Sequence, residues 1–241
     1  MKKSFVGGVM LLFSAAVIAA DQPGVHTREF AIHFDKTRVI YHEKSSSEAL
    51  SLTNEKSYPV LIQAVVQPGH ANGPVNFIVT PPVARLEAGQ QLNLRILQTR
   101  KIVDETREQL AWVCVKSLPP DDERKATGSK HDVGIHLNML VNVCEKLIYR
   151  PDSLKGNLQD AAGALIWYHD AGRLAVKNPT PFYLSISEIL VNKKNIGVGA
   201  MVPPFGQFIL PGKNSARGSV DWKVIADYGG NSASFHSEIK D

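Results

Sequence analysis

Two cysteines, Cys114 and Cys144, are the residues of this 241-residue chain that most directly suggest chemistry. An even number of cysteines in an oxidising compartment indicates disulfide bonding, and two cysteines allow one pairing. A zinc site is the competing interpretation, but two thiolates without nearby histidines do not complete a tetrahedral shell. The eight histidines are scattered, and His131 with His136 is not a helical ligand pair. We therefore expect a disulfide, with no metal and no cofactor.

Catalysis and nucleic-acid binding are both disfavoured by the residue pattern. Serine, histidine and aspartate are present, but no nucleophile elbow, glycine-rich phosphate loop or metal-ligand spacing brings them together. The formal net charge is +4, and the first twenty residues carry two lysines and no acid, so the rest of the chain has a weak field. Nucleic-acid binding would need a basic patch with a recognisable module, and we find neither.

The N-terminal segment has the features of a secretory signal. Lys2 and Lys3 precede an apolar run from Phe5 to Ala20, and the polar Asp21 follows it. This pattern predicts a signal peptide over residues 1–20. A permanent membrane anchor is the alternative, but the run is short for a span. We therefore expect the remaining chain to be exported and soluble.

Short runs of alternating apolar and polar residues follow one another along the rest of the chain, as strands divided by turns do. They are Glu48–Thr53, Val60–Val66, Gln91–Ile96, Leu110–Val115, Ala164–Tyr168, Arg173–Lys177, Tyr183–Leu190, Gln207–Leu210 and Ser219–Ile225. Long helical periodicity is absent. About 220 residues accommodate two sandwiches of about 100 residues each, and Pro151 ends a strand near the expected boundary. The sequence therefore predicts an all-β protein with domains over residues 21–150 and 151–241.

The strongest alternation lies between residues 133 and 143, after a charged stretch, Pro119–Lys130, that predicts a long loop. Its apolar positions are Val133, Ile135, Leu137, Met139, Val141 and Val143. The run is either an ordinary core strand or an edge strand whose large side chains serve another protein, and the pattern alone does not separate these interpretations. A bond between Cys114 and Cys144 would hold the base of such a hairpin in register.

The order and spacing of several short motifs resemble the PapD-like periplasmic chaperones of the chaperone–usher pathway. These motifs are Asp35-Lys36-Thr37-Arg38, Thr80-Pro81-Pro82-Val83 with Arg85-Leu86-Glu87, Lys146-Leu147-Ile148-Tyr149-Arg150-Pro151, Asn178-Pro179-Thr180-Pro181-Phe182-Tyr183 and Asp227-Tyr228-Gly229-Gly230. The cysteine pair, the long loop and the alternating strand resemble the subfamily with a long loop between strands F and G. The resemblance implies two immunoglobulin-like β-sandwich domains in an L-shaped arrangement.

The resemblance also implies roles for individual residues. The donor strand, which would complete a pilin-like subunit that lacks its last strand, contains Val133, Ile135, Leu137, Met139 and Val141. Arg38 and Lys146 would anchor the C-terminal carboxylate of the subunit, although a lone Arg or Lys is usually a solvated surface charge. Glu108, Arg150 and Asp227 would form an ion network that holds the angle between the domains.

The function implied is that of a non-enzymatic periplasmic chaperone. It would bind, fold and cap fibre subunits by donor-strand complementation and deliver them to an outer-membrane usher. A secreted immunoglobulin-like adhesin or fibre subunit is the alternative, which would lack the two basic cleft residues. Self-association of the free protein through its donor strand is a further hypothesis.

Overall fold

The computed structural model describes residues 25–30, 32–118, 135–197, 199–212 and 217–240, with the course of the backbone alone for 25–30 and 135–139. The predicted signal peptide, the predicted loop Pro119–Lys130 and Val133 lie outside the described residues. Strands dominate the described part and form two β-sandwich domains, which confirms the predicted all-β class. No helix within the described part is long and apolar enough to cross a bilayer.

The first domain packs a four-stranded sheet against a five-stranded sheet. Its strands are β1 (Val25–Phe30), β2 (His33–Phe34), β3 (Arg38–His42), β4 (Glu48–Thr53), β5 (Val60–Pro68), β6 (Phe77–Thr80), β7 (Val83–Leu86), β8 (Gln91–Gln98), β9 (Gln109–Leu118), β10 (Ile135–Leu140) and β11 (Asn142–Arg150). The sheet orders are β2-β4-β8-β6 and β3-β11-β9-β5-β7, and β1 pairs with β10 in a separate parallel ladder.

The core of the first domain follows from the alternation of its strands. In β4, Leu50 and Leu52 are fully buried, because successive side chains of a strand point to opposite faces of the sheet. Three aromatic residues join the two sheets, with ring centroids 5.0 Å apart for Tyr41 and Phe77 and 6.3 Å apart for Phe77 and Tyr149. Tyr41 and Tyr149 are on β3 and β11, so the core fixes the two strands that carry Arg38 and Lys146.

The second domain begins with a short helix that the sequence analysis did not predict. Its elements are α1 (Leu158–Gly163), β12 (Ile166–Asp170), β13 (Arg173–Lys177), β14 (Leu184–Val191), β15 (Lys194–Asn195), β16 (Ala200–Val202), β17 (Gln207–Ile209), β18 (Ser219–Val224) and β19 (Phe235–Glu238). Six residues are too few to show helical periodicity. A local signal is nevertheless present, because the Asn157 side chain caps the helix by accepting a hydrogen bond from the Asp160 N–H.

The sheets of the second domain enclose two tryptophans. One sheet has the order β12-β13-β17, and the other has the order β15-β14-β18-β19 with β16 also paired to β14. The rings of Trp167 and Trp222 lie between them with centroids 5.5 Å apart. The Trp222 Nε1–H donates to the carbonyl of Ala162 at 3.0 Å, so this indole nitrogen is satisfied and α1 is fastened to the core.

A buried asparagine closes an equivalent turn in each domain. Asn54 and Asn178 are both fully buried. The Nδ2 of each donates to the carbonyl four residues later, Tyr58 at 2.8 Å and Phe182 at 2.7 Å. Each amide also reaches two carbonyls of a neighbouring strand segment. The two domains therefore share a buried polar turn, and the second turn leads directly into β14.

The alternating run at residues 133–143 is divided between two strands. β10 ends at Leu140 and β11 begins at Asn142, and the carbonyl of Val141 between them accepts from the Ser117 N–H at 3.0 Å. The ladder between β9 and β11 stops at Lys116 and Asn142, directly beside the break. Within the described residues β10 pairs with β1 alone, whereas β11 lies inside a sheet. Among the described residues of the run, Ile135–Leu140 therefore lie on β10, and Asn142 and Val143 lie on β11.

The predicted disulfide is confirmed. Cys114 of β9 and Cys144 of β11 are directly opposite each other in the antiparallel ladder, with Cα atoms 4.0 Å apart, and their sulfurs are bonded. Cys144 lies three residues beyond the break at Val141. It therefore ties β11 to β9 close to the point where the chain leaves the sheet.

Candidate functional site

Arg38 and Lys146, hereafter the basic pair, are brought together by neighbouring strands. Arg38 is the first residue of β3, Lys146 is in the middle of β11, and the two are register partners in the parallel ladder between these strands. Register partners project to the same face of a sheet. Trp112 of β9 is the partner of Lys146 on its other side, so an aromatic side chain continues the same row.

The guanidinium of Arg38 is buried with spare hydrogen-bonding capacity. The residue is 3% exposed, and its Nη1 donates to the carbonyl of Ile225 in the second domain at 3.0 Å. Its Nε is buried without a hydrogen-bond partner in the described part of the chain. Burial lowers the pKa of Arg38, and the charges of Asp227, Glu108 and Glu145 oppose that effect. Arg38 is thus a desolvated cation with a free donor, which is a suitable receptor for an anion.

Lys146 reaches the second domain at a neighbouring point. Its Nζ donates to the Ser185 hydroxyl at 3.3 Å, across the cleft between the domains. Burial lowers the pKa of Lys146, the positive charge of Arg38 lowers it further, and Glu145 opposes both effects. Two cations with depressed pKa values therefore lie side by side. An anion that binds between them would relieve both the burial cost and the mutual repulsion.

Arg150, Glu108 and Asp227 form the ion network that was predicted to join the domains. Arg150 donates from Nε to Glu108 Oε1 at 2.5 Å, and from Nη1 and Nη2 to the two oxygens of Asp227 at 2.6 and 3.0 Å. Its guanidinium carbon also lies 5.4 Å from the ring centroid of Phe182. Burial opposes the charge of Arg150, but the hydrogen bonds and charges of the two carboxylates outweigh it, so the pKa of Arg150 is raised.

Glu108 links the network to the backbone of the second domain. Its side chain is 0% exposed, and its Oε2 accepts from the Tyr183 N–H at 2.6 Å. The Glu108 N–H in turn donates to the Pro181 carbonyl at 2.9 Å. Burial raises the pKa of Glu108, against the opposing charge of Arg150. The segment just before β14 is therefore held by one residue of the first domain at both its side chain and its backbone.

The predicted donor positions are divided by the limits of the described residues. Val133 lies outside them, and Ile135, Leu137 and Met139 lie on β10, whose backbone is described. Val141 is half-buried at the break between β10 and β11. The strand β10 runs parallel to β1 with Ile135 opposite Val25, and no second strand pairs with it in the described part of the chain. The structure thus leaves one edge of β10 without a ladder partner there.

Sequence reasoning missed two contact residues of the second domain. Ser185 and Ile225 are separated from their partners Lys146 and Arg38 by 39 and 187 residues. Ser185 belongs to a run that predicts a strand, and a serine at a buried strand position is the only local signal that singles it out. Within the described residues no group of three His, Cys, Asp or Glu side chains has the geometry to hold a metal ion.

Comparison with known proteins adds a consistent set of similarities. Residues 31–155 match the family model described as the pili and flagellar-assembly chaperone PapD N-terminal domain, and residues 160–236 match the pili assembly chaperone PapD C-terminal domain. The chain is 38% identical over 220 residues to the chaperone protein AggD of Escherichia coli, covering 89% of this chain and 87% of AggD. It is 34% identical to the chaperone protein caf1M of Yersinia pestis, covering 92% and 90% of the two chains.

Solved structures resemble the whole described architecture. The Escherichia coli chaperone DraB has a TM-score of 0.78 and 37% identity, with 90% of this chain and 100% of DraB covered. A chain in the Salmonella enterica structure of the SafA pilin in complex with the SafB chaperone has a TM-score of 0.77 and 39% identity, with 87% and 96% covered.

Proposed function

The chain belongs to the PapD family of pilus assembly chaperones, and from this premise we propose how its own residues capture a fibre subunit. A member of this family is a chaperone, and the alternative of an adhesin or fibre subunit is not favoured. The specific proposal is that the basic pair binds the C-terminal carboxylate of a pilin-like subunit. The edge strand β10 then adds to the open groove of that subunit.

The observation that carries the proposal is the buried, unpartnered Nε of Arg38. A buried donor without an acceptor costs free energy, because it loses its hydrogen bonds to water. A carboxylate placed against Arg38 and Lys146 would accept charge-assisted hydrogen bonds from the guanidinium and from the ammonium. The surface-charge interpretation does not suit Arg38, since only 3% of it is exposed. The site therefore has the charge and the spare donor that a terminal carboxylate requires.

The position of the basic pair suits an anchor for a β-strand. Lys146 lies on β11, which continues the same chain direction as β10 beyond Val141. A carboxylate fixed at Lys146 would set the C-terminal end of a subunit strand that runs along β10, so the anchor would also set its register. Backbone hydrogen bonds would give affinity independent of sequence, and alternating side chains would fill the subunit's pockets. We assign these pockets to Val133, Ile135, Leu137, Met139 and Val141.

The disulfide and the ion network support this capture without contacting the subunit. The bond between Cys114 and Cys144 closes a loop with a sequence separation of 30, which contributes about 3–4 kcal/mol in the chain-entropy model. It keeps β11 in register with β9 whether or not a subunit is bound. The network of Glu108, Arg150 and Asp227 holds the second domain at a defined position relative to the basic pair.

We also propose the cellular setting that the family implies. The protein works in the periplasm, where the signal peptide delivers it and where the disulfide forms. It has no catalytic activity and no cofactor, and it passes its subunit to an outer-membrane usher. A free molecule protects its donor strand by self-association, which light scattering over a range of protein concentrations tests.

The test is co-purification of the cognate fibre subunit from periplasmic extracts. We expect a soluble one-to-one complex with the wild-type protein, and loss of the subunit to degradation with Arg38→Ala or Lys146→Ala. Lys116→Ala is the matched control, because Lys116 is an exposed lysine of β9 on the same face of the sheet, opposite Asn142. Equal retention by all variants would refute the anchor, and no complex with the wild type would refute subunit capture itself.

A further inference from the structure

Arg38 and Lys146 contact two residues of the second domain that are hydrogen-bonded to each other. Lys146 Nζ donates to the hydroxyl of Ser185 at 3.3 Å, and Arg38 Nη1 donates to the carbonyl of Ile225 at 3.0 Å. Ser185 and Ile225 are themselves joined, because the Ile225 N–H donates to the Ser185 carbonyl at 2.8 Å. One backbone hydrogen bond therefore sets the distance between the two acceptors that receive the two cations.

Ser185 occupies a rigid position. It is 3% exposed and lies on β14, between the buried residues Leu184 and Ile186. This strand pairs with β15, β16 and β18, so it is held along both edges. A hydroxyl in such a position needs a hydrogen-bond partner, and the Lys146 ammonium is the partner that the described residues supply. The Ser185 oxygen is therefore a fixed acceptor that faces the first domain.

The basic pair needs such an acceptor because its members repel each other. Arg38 and Lys146 are register partners, and the charge of Arg38 helps to lower the pKa of Lys146. A lysine has a flexible four-carbon side chain that can turn its ammonium into solvent. A neighbouring cation favours that movement. The Ser185 hydroxyl opposes it, because it offers the ammonium an acceptor on the far side of the cleft.

We propose that Ser185 is a positioning residue for carboxylate capture: its hydroxyl holds the Lys146 ammonium beside Arg38 before the subunit arrives. An ammonium has three donors, so the contact with Ser185 leaves two for a carboxylate. Holding a flexible cation in its bound position removes part of the entropy cost of binding. This inference rests on the proposed function, in which the basic pair receives the subunit's terminal carboxylate.

The test measures the affinity of the full chain for a synthetic peptide of the C-terminal segment of the co-purifying subunit, made with a free carboxylate and with a terminal carboxamide. We expect Ser185→Ala to weaken binding of the free-acid peptide about tenfold and to leave the carboxamide peptide unchanged. Ser185→Thr keeps a hydroxyl and should bind within about twofold of the wild type. Ser187→Ala is the matched control, because Ser187 lies on the same strand but is exposed and bonds the Lys223 carbonyl.

A double-mutant cycle separates positioning from a merely structural role. In the Lys146→Ala background, Ser185→Ala should cause no further loss, because the group that it positions is absent. An equal loss for both peptides, or a loss that persists without Lys146, would overturn the inference and leave the anchor intact. Equal affinity of the wild type for the two peptides would show that the anchor itself is wrong, and the role of Ser185 would fall with it.

Discussion

Arg38 and Arg150 both lie at the boundary between the domains, and their surroundings are opposite. All three guanidinium nitrogens of Arg150 donate to carboxylate oxygens, whereas Arg38 donates from Nη1 to one carbonyl and its Nε has no partner in the described part of the chain. The pKa of Arg150 is raised by its carboxylates despite burial, and the pKa of Arg38 is lowered by burial.

This difference distinguishes the guanidinium of Arg150, which is paired with carboxylates of the protein, from that of Arg38, which keeps an unpartnered donor within the described residues. A largely buried cation whose three nitrogens all donate to carboxylates has its charge compensated within the protein and stabilises one arrangement of the two domains. A buried cation with a free donor carries an unrecovered desolvation cost, which a suitable anion would repay on binding. We therefore expect substitutions at Arg150 to act mainly on folding, and substitutions at Arg38 to act mainly on subunit binding.

The largest expected effect is the loss of stability when the ion pairs of Arg150 are removed. Arg150→Ala should lower the free energy of unfolding by about 3–5 kcal/mol, because Glu108 would remain buried without its cation. Chemical denaturation with urea measures the loss. Arg173→Ala, at an exposed strand position, is the control and should change little. If Arg150→Ala is as stable as the control, the network does not hold the domains together.

The second effect separates binding from stability. Arg38→Ala should weaken binding of the free-acid subunit peptide about 30- to 100-fold, since a charge-assisted hydrogen bond contributes about 1.5–3 kcal/mol and more than one donor is lost. The same variant should unfold within about 1 kcal/mol of the wild type, because removing a desolvated cation offsets the lost contact. Calorimetry and urea denaturation give the two values. A large loss of stability in Arg38→Ala, with unchanged binding of the peptide, would mean that Arg38 serves folding rather than subunit binding.

A smaller effect should come from Asp227, the more exposed carboxylate of the network. Its side chain is 39% exposed, against 0% for Glu108, so water screens its interaction with Arg150. Asp227→Asn should therefore lower the free energy of unfolding by about 1 kcal/mol, clearly less than Arg150→Ala. Thermal denaturation of the two variants side by side measures the difference. Equal losses of stability in the two variants would mean that the exposure of a carboxylate does not determine how much its contact with Arg150 contributes.

The smallest effect is the pH dependence of carboxylate binding. A carboxylate binds the charged Lys146, so affinity should be constant at neutral pH and should fall as the pH rises through the pKa of this lysine. Because burial and the charge of Arg38 lower that pKa, the fall should begin below the range of an ordinary lysine. Lys146→Arg, whose guanidinium stays charged, should abolish the fall. An unchanged pH profile in Lys146→Arg would assign the fall to another group.

Much of this architecture could be predicted from the sequence, because alternation and turn residues are local. The runs at Glu48–Thr53 and Arg173–Lys177 coincide with β4 and β13, and the disulfide follows from two cysteines on neighbouring predicted strands. The motifs shared with the family identified the residues of the basic pair and of the ion network. The helix α1 was missed, because six residues show no period and one capping asparagine is a weak signal.

Only the tertiary structure shows where the alternating run divides and which residues of the second domain contact the basic pair. The break at Val141 divides the run between β10 and β11, and no pattern within residues 133–143 marks that position. The partners of the basic pair, Ser185 and the Ile225 carbonyl, come from the second domain and are chosen by how the two domains pack. In the sequence, Arg38 and Arg150 are each a single arginine within a motif, and nothing local distinguishes their surroundings. Only the burial of each side chain and the acceptors around it decide that one is satisfied and the other is open, because hydrogen bonding depends on distances in space.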